Sequence, residues 1–269
     1  MHVVVTGGSS GIGLEVAKIY ARRGASVSLI ARNADRLETA RKEIEQHSAG
    51  ATKVFVVSAD AAVGIEISAA IKSCEAAHGP CDILVASAGL VEPGWFHEQT
   101  TEAFEAQWRT NFTGVVNTVR DVYATMRARG EGRIMIVSSA AAFIGIPAYA
   151  AYCGSKSALV GFADALRLEA MSKGVRVGGA GGVTVGICFP PDTDTPQLAR
   201  ELQSRPREAE ILMGRIKPRR PEEIAARLVA GIDRRSAHVY FTGSIAALAL
   251  FGPLVRPFIE IWYRLKLSR

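Results

Sequence analysis

The sequence contains few cysteines and histidines, the residue types that form disulfide cross-links in small proteins or bind metals. Its 269 residues include only four cysteines, none of them in the CxxC spacing of a zinc or redox motif. Its five histidines form no cluster with metal-ligand spacing, so no metal site is expected. Prolines are few beside 26 glycines and no stretch is low-complexity, which argues against disordered and fibrous architectures. A chain of this length can bury a large core without staples, so we expect a globular protein of a reducing compartment.

The charge is moderately basic, with a formal net charge of +6. Such a balance suits anionic small molecules or an anionic membrane surface. Nucleic acid is not an expected partner, because the basic residues are scattered and their densest run, Lys217 to Arg220, lacks interleaved aromatics. Met1 leads directly into apolar Val3–Val5 with no cationic leader. The expected location is the cytoplasm, or the cytoplasmic face of a membrane.

Apolar β-branched runs alternate with segments of helical period along most of the chain. The predicted strands are His2–Thr6, Ser26–Ala31, Lys53–Ser58, Asp82–Ala86, Arg133–Ser138, Val183–Phe189 and His238–Thr242. The predicted helices are Gly13–Arg23, Ala34–His47, Ile65–His78, Glu102–Arg129, Ala151–Ser172 and Pro221–Arg234. Continuous apolar strands separated by helices indicate parallel pairing with both sheet faces covered. The pattern predicts an α/β fold: one doubly wound, seven-stranded parallel sheet over residues 1–242, followed by an apolar helical extension over 243–269.

A glycine-rich turn joins the first predicted strand to the first predicted helix. Glycines in this position let the backbone approach a pyrophosphate, whose charge is stabilised by the helix N-terminus. The spacing resembles the TGxxxGxG pattern of the short-chain dehydrogenases/reductases, a family with a Rossmann-type fold. The resemblance implies cofactor contacts from Gly7, Ser9, Ser10, Gly11, Ile12 and Gly13.

The end of the second predicted strand indicates which dinucleotide is bound. NAD-binding sites usually place a carboxylate there, whereas this chain has Arg32 followed by Asn33. Arg32 can pair with a 2′-phosphate, and Ser9 or Ser10 can donate to it. The alternative is a solvated arginine at a helix start, where the helix dipole disfavours a cation. The sequence therefore favours NADPH.

Tyr152 and Lys156 are four residues apart at the start of a predicted helix, so both lie on one face. A nearby ammonium would stabilise the phenolate and lower the tyrosine pKa. Tyr149 lacks a lysine four residues later. In the short-chain dehydrogenase/reductase family, a serine thirteen residues before the tyrosine reaches the substrate carbonyl, which corresponds to Ser139, and a helix asparagine supports a water relay, which corresponds to Asn111.

The same resemblance implies further cofactor contacts after the third, fourth and sixth strands. These residues are Asp60, Ala88, Gly89, Pro190, Thr193 and Thr195, in addition to Tyr152 and Lys156. Asp60 matches the family's adenine-contacting acid, and Thr195 matches the side-chain donor to the nicotinamide carboxamide. The implied chemistry is hydride transfer to a ketone, with Tyr152 as general acid.

The loop after the sixth strand, Pro190 to Pro196, is similar to that of the 3-ketodihydrosphingosine reductases, which reduce a long-chain keto amino alcohol in sphingolipid synthesis. Asp192 or Asp194 would then pair with the substrate ammonium, and helix capping is an equally weighted alternative. A reductase or dehydrogenase of another lipid-like ketone or alcohol, such as a β-ketoacyl thioester or a steroid, is the second hypothesis. A non-catalytic dinucleotide-binding protein is the third.

The C-terminus is apolar but is expected to be broken at Gly252, Pro253 and Pro257, which leaves each piece too short to span a bilayer. Phe258, Ile261, Trp262 and Leu265 then recur at helical spacing, with basic residues nearby. This pattern favours peripheral membrane contact. A subunit contact or a lid over the substrate cleft are the alternatives. By analogy with the family, a homo-oligomer would pair through Glu102–Arg129 and Ala151–Ser172.

Overall fold

The computed structural model describes residues 1–48, 52–171, 182–214 and 217–268. Seven parallel strands form one sheet in the order β3-β2-β1-β4-β5-β6-β7. The strands are β1 (His2–Thr6), β2 (Ser26–Ala31), β3 (Val54–Ser58), β4 (Ile83–Ala86), β5 (Glu131–Val137), β6 (Gly182–Phe189) and β7 (His238–Tyr240). The predicted seven-stranded parallel sheet is confirmed.

Helices cover both faces of the sheet and bury its continuous apolar strands. They are α1 (Gly11–Arg22), α2 (Ala34–His47), α3 (Gly64–His78), α4 (Thr101–Trp108), α5 (Gly114–Arg129), α6 (Ala150–Met171), α7 (Pro196–Glu201), α8 (Arg207–Met213), α9 (Pro221–Asp233) and α10 (Gly243–Leu267). One core packs α3, α5 and α6 against the sheet, and the other packs α1, α2 and α9 against the opposite face. Because both faces of the sheet pack against an apolar core, the strands do not alternate between apolar and polar residues.

The order of strands reverses between β1 and β4, because β1 pairs with β2 on one side and with β4 on the other. In open α/β sheets, ligands bind at the carboxyl ends of the strands beside such a reversal. The loops that follow β1, β4, β5 and β6 therefore converge at one edge. Every segment singled out in the sequence for its chemistry lies at this edge or at the neighbouring end of β2 and β3.

Two features differ from the sequence-based expectation. The predicted helix over Glu102–Arg129 contains one turn of π-helix, Arg109–Thr113, between α4 and α5. The short helix α8 had no counterpart in the prediction. The sequence also has a run of glycines just ahead of the sixth predicted strand, at positions 178, 179, 181 and 182. Of these only Gly182, which begins β6, lies within the described residues.

The C-terminal segment forms one continuous helix, α10, so the expected interruption at its prolines is wrong. Pro253 and Pro257 both lie inside it. Their four-residue spacing places the two missing backbone donors on one face, where the helix can bend without ending. At about 1.5 Å per residue, its 25 residues extend roughly 37 Å, which exceeds the ~30 Å core of a bilayer. By length and composition α10 could cross a membrane, and only 11% of its most apolar 18-residue stretch is buried.

Candidate functional site

The turn after β1 packs so closely that only glycine fits at two of its positions. Gly7 has φ +69°, and a Cβ there would lie 2.8 Å from the Ala88 backbone nitrogen. A Cβ on Gly13 would lie 2.6 Å from the Gly7 carbonyl oxygen. These contacts fold the turn against the loop after β4 and bring the backbone amides of the α1 N-terminus to the edge of the sheet.

The start of α1 has the properties of an anion cradle. Its first turn carries no acidic residue, and the Ser10 side chain makes no capping hydrogen bond. Ser9, Gly11 and Ile12 are only half-buried, so the free amides of the helix start can be reached. A Cβ on Gly11 would lie 2.9 Å from the Thr195 methyl carbon, which places the loop after β6 against this turn. These residues fit the pyrophosphate of a dinucleotide.

Arg32 and Asp60 stand at the ends of the neighbouring strands β2 and β3. Arg32 is exposed, and its carbonyl oxygen accepts a 2.8 Å hydrogen bond from the Ser58 hydroxyl. Asp60 accepts a 2.9 Å bond from the Ala62 backbone nitrogen, which holds its carboxylate in the turn before α3. The site thus offers an exposed cation at the end of β2 and a hydrogen-bonded carboxylate at the end of β3.

The serine, tyrosine and lysine of the predicted catalytic set come together across β5 and α6. Ser139 follows β5, and its hydroxyl accepts a 3.2 Å bond from the Ala141 backbone nitrogen. The same hydroxyl lies close enough to the Tyr152 phenol to favour a lower pKa of that phenol. Lys156 lies one turn along α6, where its Nζ is 5.8 Å from the centre of the Tyr152 ring. Its ammonium donates a 3.1 Å hydrogen bond to the Val137 carbonyl.

Burial dominates the protonation of this pair. It raises the pKa of Tyr152, the charges of Glu201 and Asp192 act in the same direction, and the nearby Ser139 hydroxyl opposes them. Burial also lowers the pKa of Lys156 from 10.5 to about 8. The sequence suggests that Lys156 lowers the tyrosine pKa, whereas in the structure the pKa of Tyr152 is raised because burial dominates. Desolvation shifts both groups toward their neutral forms and outweighs the pairing.

Asn111 lies in the π-helical turn and is fully buried. Its amide accepts a 2.7 Å hydrogen bond from the Leu90 backbone nitrogen and donates a 2.8 Å bond to the Leu90 carbonyl. A Cβ on Gly89 would lie 3.5 Å from both the Asn111 side-chain oxygen and the Lys156 Nζ. Asn111 therefore fixes the loop after β4 and flanks Gly89 opposite Lys156. Its part in a water relay stays a prediction.

The loop after β6 closes the site from the other side. The Pro190 carbonyl accepts a 3.1 Å bond from the Ala140 backbone nitrogen, and Thr193 is buried with its hydroxyl donating to the Pro191 carbonyl at 2.8 Å. Thr195 caps α7, because its hydroxyl accepts a 3.2 Å bond from the Leu198 backbone nitrogen. A hydroxyl that accepts in a cap keeps its own proton free to donate.

The two candidate substrate carboxylates have different surroundings. Asp194 is exposed, and its backbone nitrogen donates a 2.8 Å bond to the Arg219 carbonyl. Asp192 accepts a 2.7 Å hydrogen bond on Oδ2 from Arg205. Arg205 also binds Glu201 and Tyr149, three residues that the sequence analysis did not place in the site. The Glu201–Arg205 spacing of four residues is that of a helical ion pair, but Arg205 lies beyond the end of α7, and nothing local in the sequence ties the pair to Asp192.

Apolar side chains pack against Tyr152. This third cluster of buried residues consists of Val91, Ala141, Ile146, Tyr149, Cys153 and Ala209, with Leu212 and Met213 of α8 packed against it. Helix α10 lies against α8, and its Arg256 donates to the Phe143 carbonyl at 3.0 Å and 3.2 Å. The apolar wall beside Tyr152 is therefore next to the exposed apolar helix.

Comparisons with known proteins agree with this architecture. The family described as short chain dehydrogenase matches residues 1–204. A 3-ketodihydrosphingosine reductase of Bos taurus is 39% identical over 85% of this chain and 67% of its own length. One from Dictyostelium discoideum is 30% identical over 99% of this chain and 82% of its own. The crystal structure of F189W actinorhodin polyketide ketoreductase with NADPH is 28% identical, with TM-score 0.76, and covers 91% of this chain and 96% of its own. The chain belongs to the short chain dehydrogenase family.

Proposed function

We propose that this protein reduces the ketone of 3-ketodihydrosphingosine to dihydrosphingosine with NADPH, using Ser139, Tyr152, Lys156 and Asn111. The juxtaposition of Ser139, Tyr152 and Lys156 across β5 and α6 carries the proposal, because the Lys156 Nζ lies 5.8 Å from the Tyr152 ring centre and the Ser139 hydroxyl acts on the Tyr152 phenol. The identity to 3-ketodihydrosphingosine reductases over 85% of the chain supports the substrate. The actinorhodin polyketide ketoreductase shares the fold at lower identity, so a β-ketoacyl thioester is the second candidate substrate.

The cofactor of this family is a nicotinamide dinucleotide, which supplies the hydride when bound. The turn from Gly7 to Gly13 would hold its pyrophosphate, and Asp60 its adenine. Ala88 and Gly89 line the space between these groups and Lys156, whose ammonium would hold the nicotinamide ribose. Pro190, Thr193 and Thr195 form the loop that would face the nicotinamide, with the free proton of the Thr195 hydroxyl as donor.

Tyr152 would protonate the ketone oxygen as negative charge develops there. Its raised pKa keeps the phenol protonated at neutral pH, which a general acid requires. Ser139 would donate a hydrogen bond to the same oxygen and stabilise the developing alkoxide. Lys156, with its pKa near 8, is largely charged at neutral pH and would favour the phenolate that remains. Asn111 would support the water path that returns a proton to the tyrosine.

The NADPH preference rests on Arg32, the exposed cation at the end of β2. Arg32→Ala should raise the KM for NADPH by about 10- to 100-fold, the effect of losing a charge-assisted hydrogen bond, and should leave the KM for NADH unchanged. Arg22→Ala, which removes an exposed arginine at the end of α1, is the matched control. Equal losses with both dinucleotides would contradict the assignment.

The substrate test compares three ketones with one enzyme preparation. Turnover of 3-ketodihydrosphingosine should exceed that of a β-ketoacyl thioester and of a steroid ketone, as followed by NADPH oxidation. A preference for the thioester would replace the sphingolipid assignment but keep the catalytic residues. NADPH binding without turnover of any ketone would support the non-catalytic alternative.

We also propose that residues 243–269 are an extension through which the protein contacts a membrane. The exposed apolar side chains of α10 include Leu250, Phe251, Leu254, Phe258, Ile261 and Trp262. Arg264 and Lys266 follow in its last turn, where anionic lipid would attract them. Phe258→Lys should reduce flotation with anionic phospholipid vesicles, and Ile65→Lys, at an 81% exposed apolar residue of α3, should not. Equal flotation of both variants would contradict this contact.

The homo-oligomer is proposed on family analogy, through α5 and α6. On α6, Leu168 and Met171 are exposed apolar residues, which a second copy would cover. Light scattering should show a dimer or tetramer that Leu168→Glu weakens. A monomer at all concentrations would remove this part of the proposal.

A further inference from the structure

Four polar side chains form a closed cluster beside Tyr152. The Tyr149 hydroxyl donates a 2.7 Å hydrogen bond to Glu201 Oε1, and the Arg205 guanidinium donates to the same oxygen. Arg205 Nε also donates to the Tyr149 hydroxyl at 3.1 Å, and its NH1 donates to Asp192 Oδ2 at 2.7 Å. We refer to Tyr149, Asp192, Glu201 and Arg205 as the loop cluster.

The loop cluster is buried at one end and open at the other. The side chains of Arg205 and Glu201 are 6% and 10% exposed, whereas that of Asp192 is 28% exposed. Within the described part of the chain, Asp192 accepts side-chain hydrogen bonds on Oδ2 alone. The buried Arg205 therefore fixes the Asp192 carboxylate through Oδ2 and leaves its Oδ1 free to bind another group. A buried hydrogen-bond network of this kind holds a side chain in one rotamer, which a surface ion pair does not do.

The charges of the loop cluster do not cancel. Two carboxylates face one guanidinium, so the formal charge is −1. This charge lies next to the catalytic tyrosine: the Tyr149 and Tyr152 ring centres are 6.3 Å apart, and both carboxylates act on the Tyr152 phenol. An excess negative charge at this place disfavours anionic substrate groups and favours a cation beside the ketone oxygen.

The backbone next to Tyr149 carries a conformation that is rarely adopted without cause. Ala148 has φ +63°, in the left-handed region that non-glycine residues seldom enter. Its carbonyl accepts a 2.8 Å bond from the Gly94 backbone nitrogen, which holds the turn. Strain of this kind concentrates where a side chain must be aimed. Here it aims Tyr149 at Glu201 and Arg205.

We infer that Tyr149, Glu201 and Arg205 are positioning residues that hold Asp192 toward a cation on the carbon next to the substrate ketone. The inference rests on the proposed function, because it takes Tyr152 as the group that meets the ketone oxygen. The nitrogen of an amine adjacent to that ketone lies within about one hydrogen-bond length of the ketone oxygen. Its ammonium can therefore reach a carboxylate beside the Tyr152 phenol. The loop cluster selects an amino ketone over an uncharged ketone of equal length.

The experiment measures kcat/KM for 3-ketodihydrosphingosine and for its N-acetyl derivative, which has no positive charge. The wild type should prefer the amine. Asp192→Asn, which keeps the shape and removes the charge, should reduce that preference by about 10- to 100-fold. Tyr149→Phe removes one hydroxyl of the loop cluster. It should reduce the preference for the amine severalfold by raising the KM for the amine, with a smaller change in kcat. Glu45→Gln, at a surface carboxylate of α2, is the matched control.

The outcomes separate this inference from the proposed function. If the wild type reduces neither compound, the proposed function fails. If it reduces both equally well, or if Asp192→Asn and Tyr149→Phe slow both substrates by the same factor, the loop cluster is structural and the inference is overturned. Near-ultraviolet circular dichroism of each variant shows whether it is folded. A folded Tyr149→Phe with unchanged preference also contradicts the positioning role.

Discussion

Replacing Lys156 by methionine should stabilise the protein while abolishing its activity. The lysine is 4% exposed, and burial lowers its pKa from 10.5 to about 8. That difference corresponds to about 3 kcal/mol of unfavourable free energy for holding the ammonium in the folded protein. Methionine has a similar length without the charge. Losing the hydrogen bond to Val137 offsets about 1 kcal/mol, so the expected gain near neutral pH is about 2 kcal/mol, or roughly 5 °C in Tm.

The stability gain from Lys156→Met should depend on pH, because the lowered pKa of Lys156 makes the wild-type stability depend on pH. Below pH 8 the lysine is charged in both folded and unfolded states, and the full cost is present. Between pH 8 and 10.5 the folded protein releases its proton before the unfolded chain does, so wild-type stability rises. The advantage of Lys156→Met should therefore shrink across that interval in urea or thermal unfolding. Lys42→Met, at an exposed lysine, should show no such change. A destabilised Lys156→Met at pH 7, or a pH-independent difference, would refute the reasoning.

Three further substitutions test other parts of the account. Tyr152→Phe should lower kcat by at least 10²-fold or so, the contribution of a general acid, while fluorescence titration shows unchanged NADPH binding; residual turnover near wild type would remove its role. Gly7→Ala should weaken NADPH binding and cost more stability than Gly24→Ala, because both glycines have positive φ but only Gly7 has backbone atoms within 3 Å of the added Cβ; equal losses would contradict the crowding argument. Ala148→Gly should raise the free energy of unfolding by about 1 kcal/mol, and no gain in urea denaturation would argue against strain at that residue.

The sheet was predictable because each strand is a short, uninterrupted apolar run. The bounds of β1 and β2 agree with the sequence to the residue, since both strands are followed or preceded by glycine turns. The π-helical turn at Asn111 was not predictable, because one extra residue in a turn leaves the apolar period of the flanking helices almost unchanged. The same turn brings Asn111 to Leu90, so its position in the site had to be seen in the structure.

Local sequence rules do not reveal features that distant contacts decide. Prolines usually end a helix, but α10 continues through Pro253 and Pro257, and Arg256 is tied to the Phe143 carbonyl. The lack of a lysine one turn after Tyr149 argues against a catalytic role for this tyrosine, but it does not predict its contacts. Its real partners, Glu201 and Arg205, are more than 50 residues away in sequence. Family resemblance locates Ser139 and Tyr152, but it does not reveal the charges that surround them.

The central claim is that this chain delivers hydride to the ketone carbon of 3-ketodihydrosphingosine while Tyr152 protonates the oxygen. The most direct measurement is mass spectrometry of the product formed with NADPH carrying deuterium on the transferred position. The account predicts dihydrosphingosine with one deuterium on the new carbinol carbon, and no such product from Tyr152→Phe. Recovery of unreduced ketone from the wild type, under conditions in which NADPH binds, would contradict it.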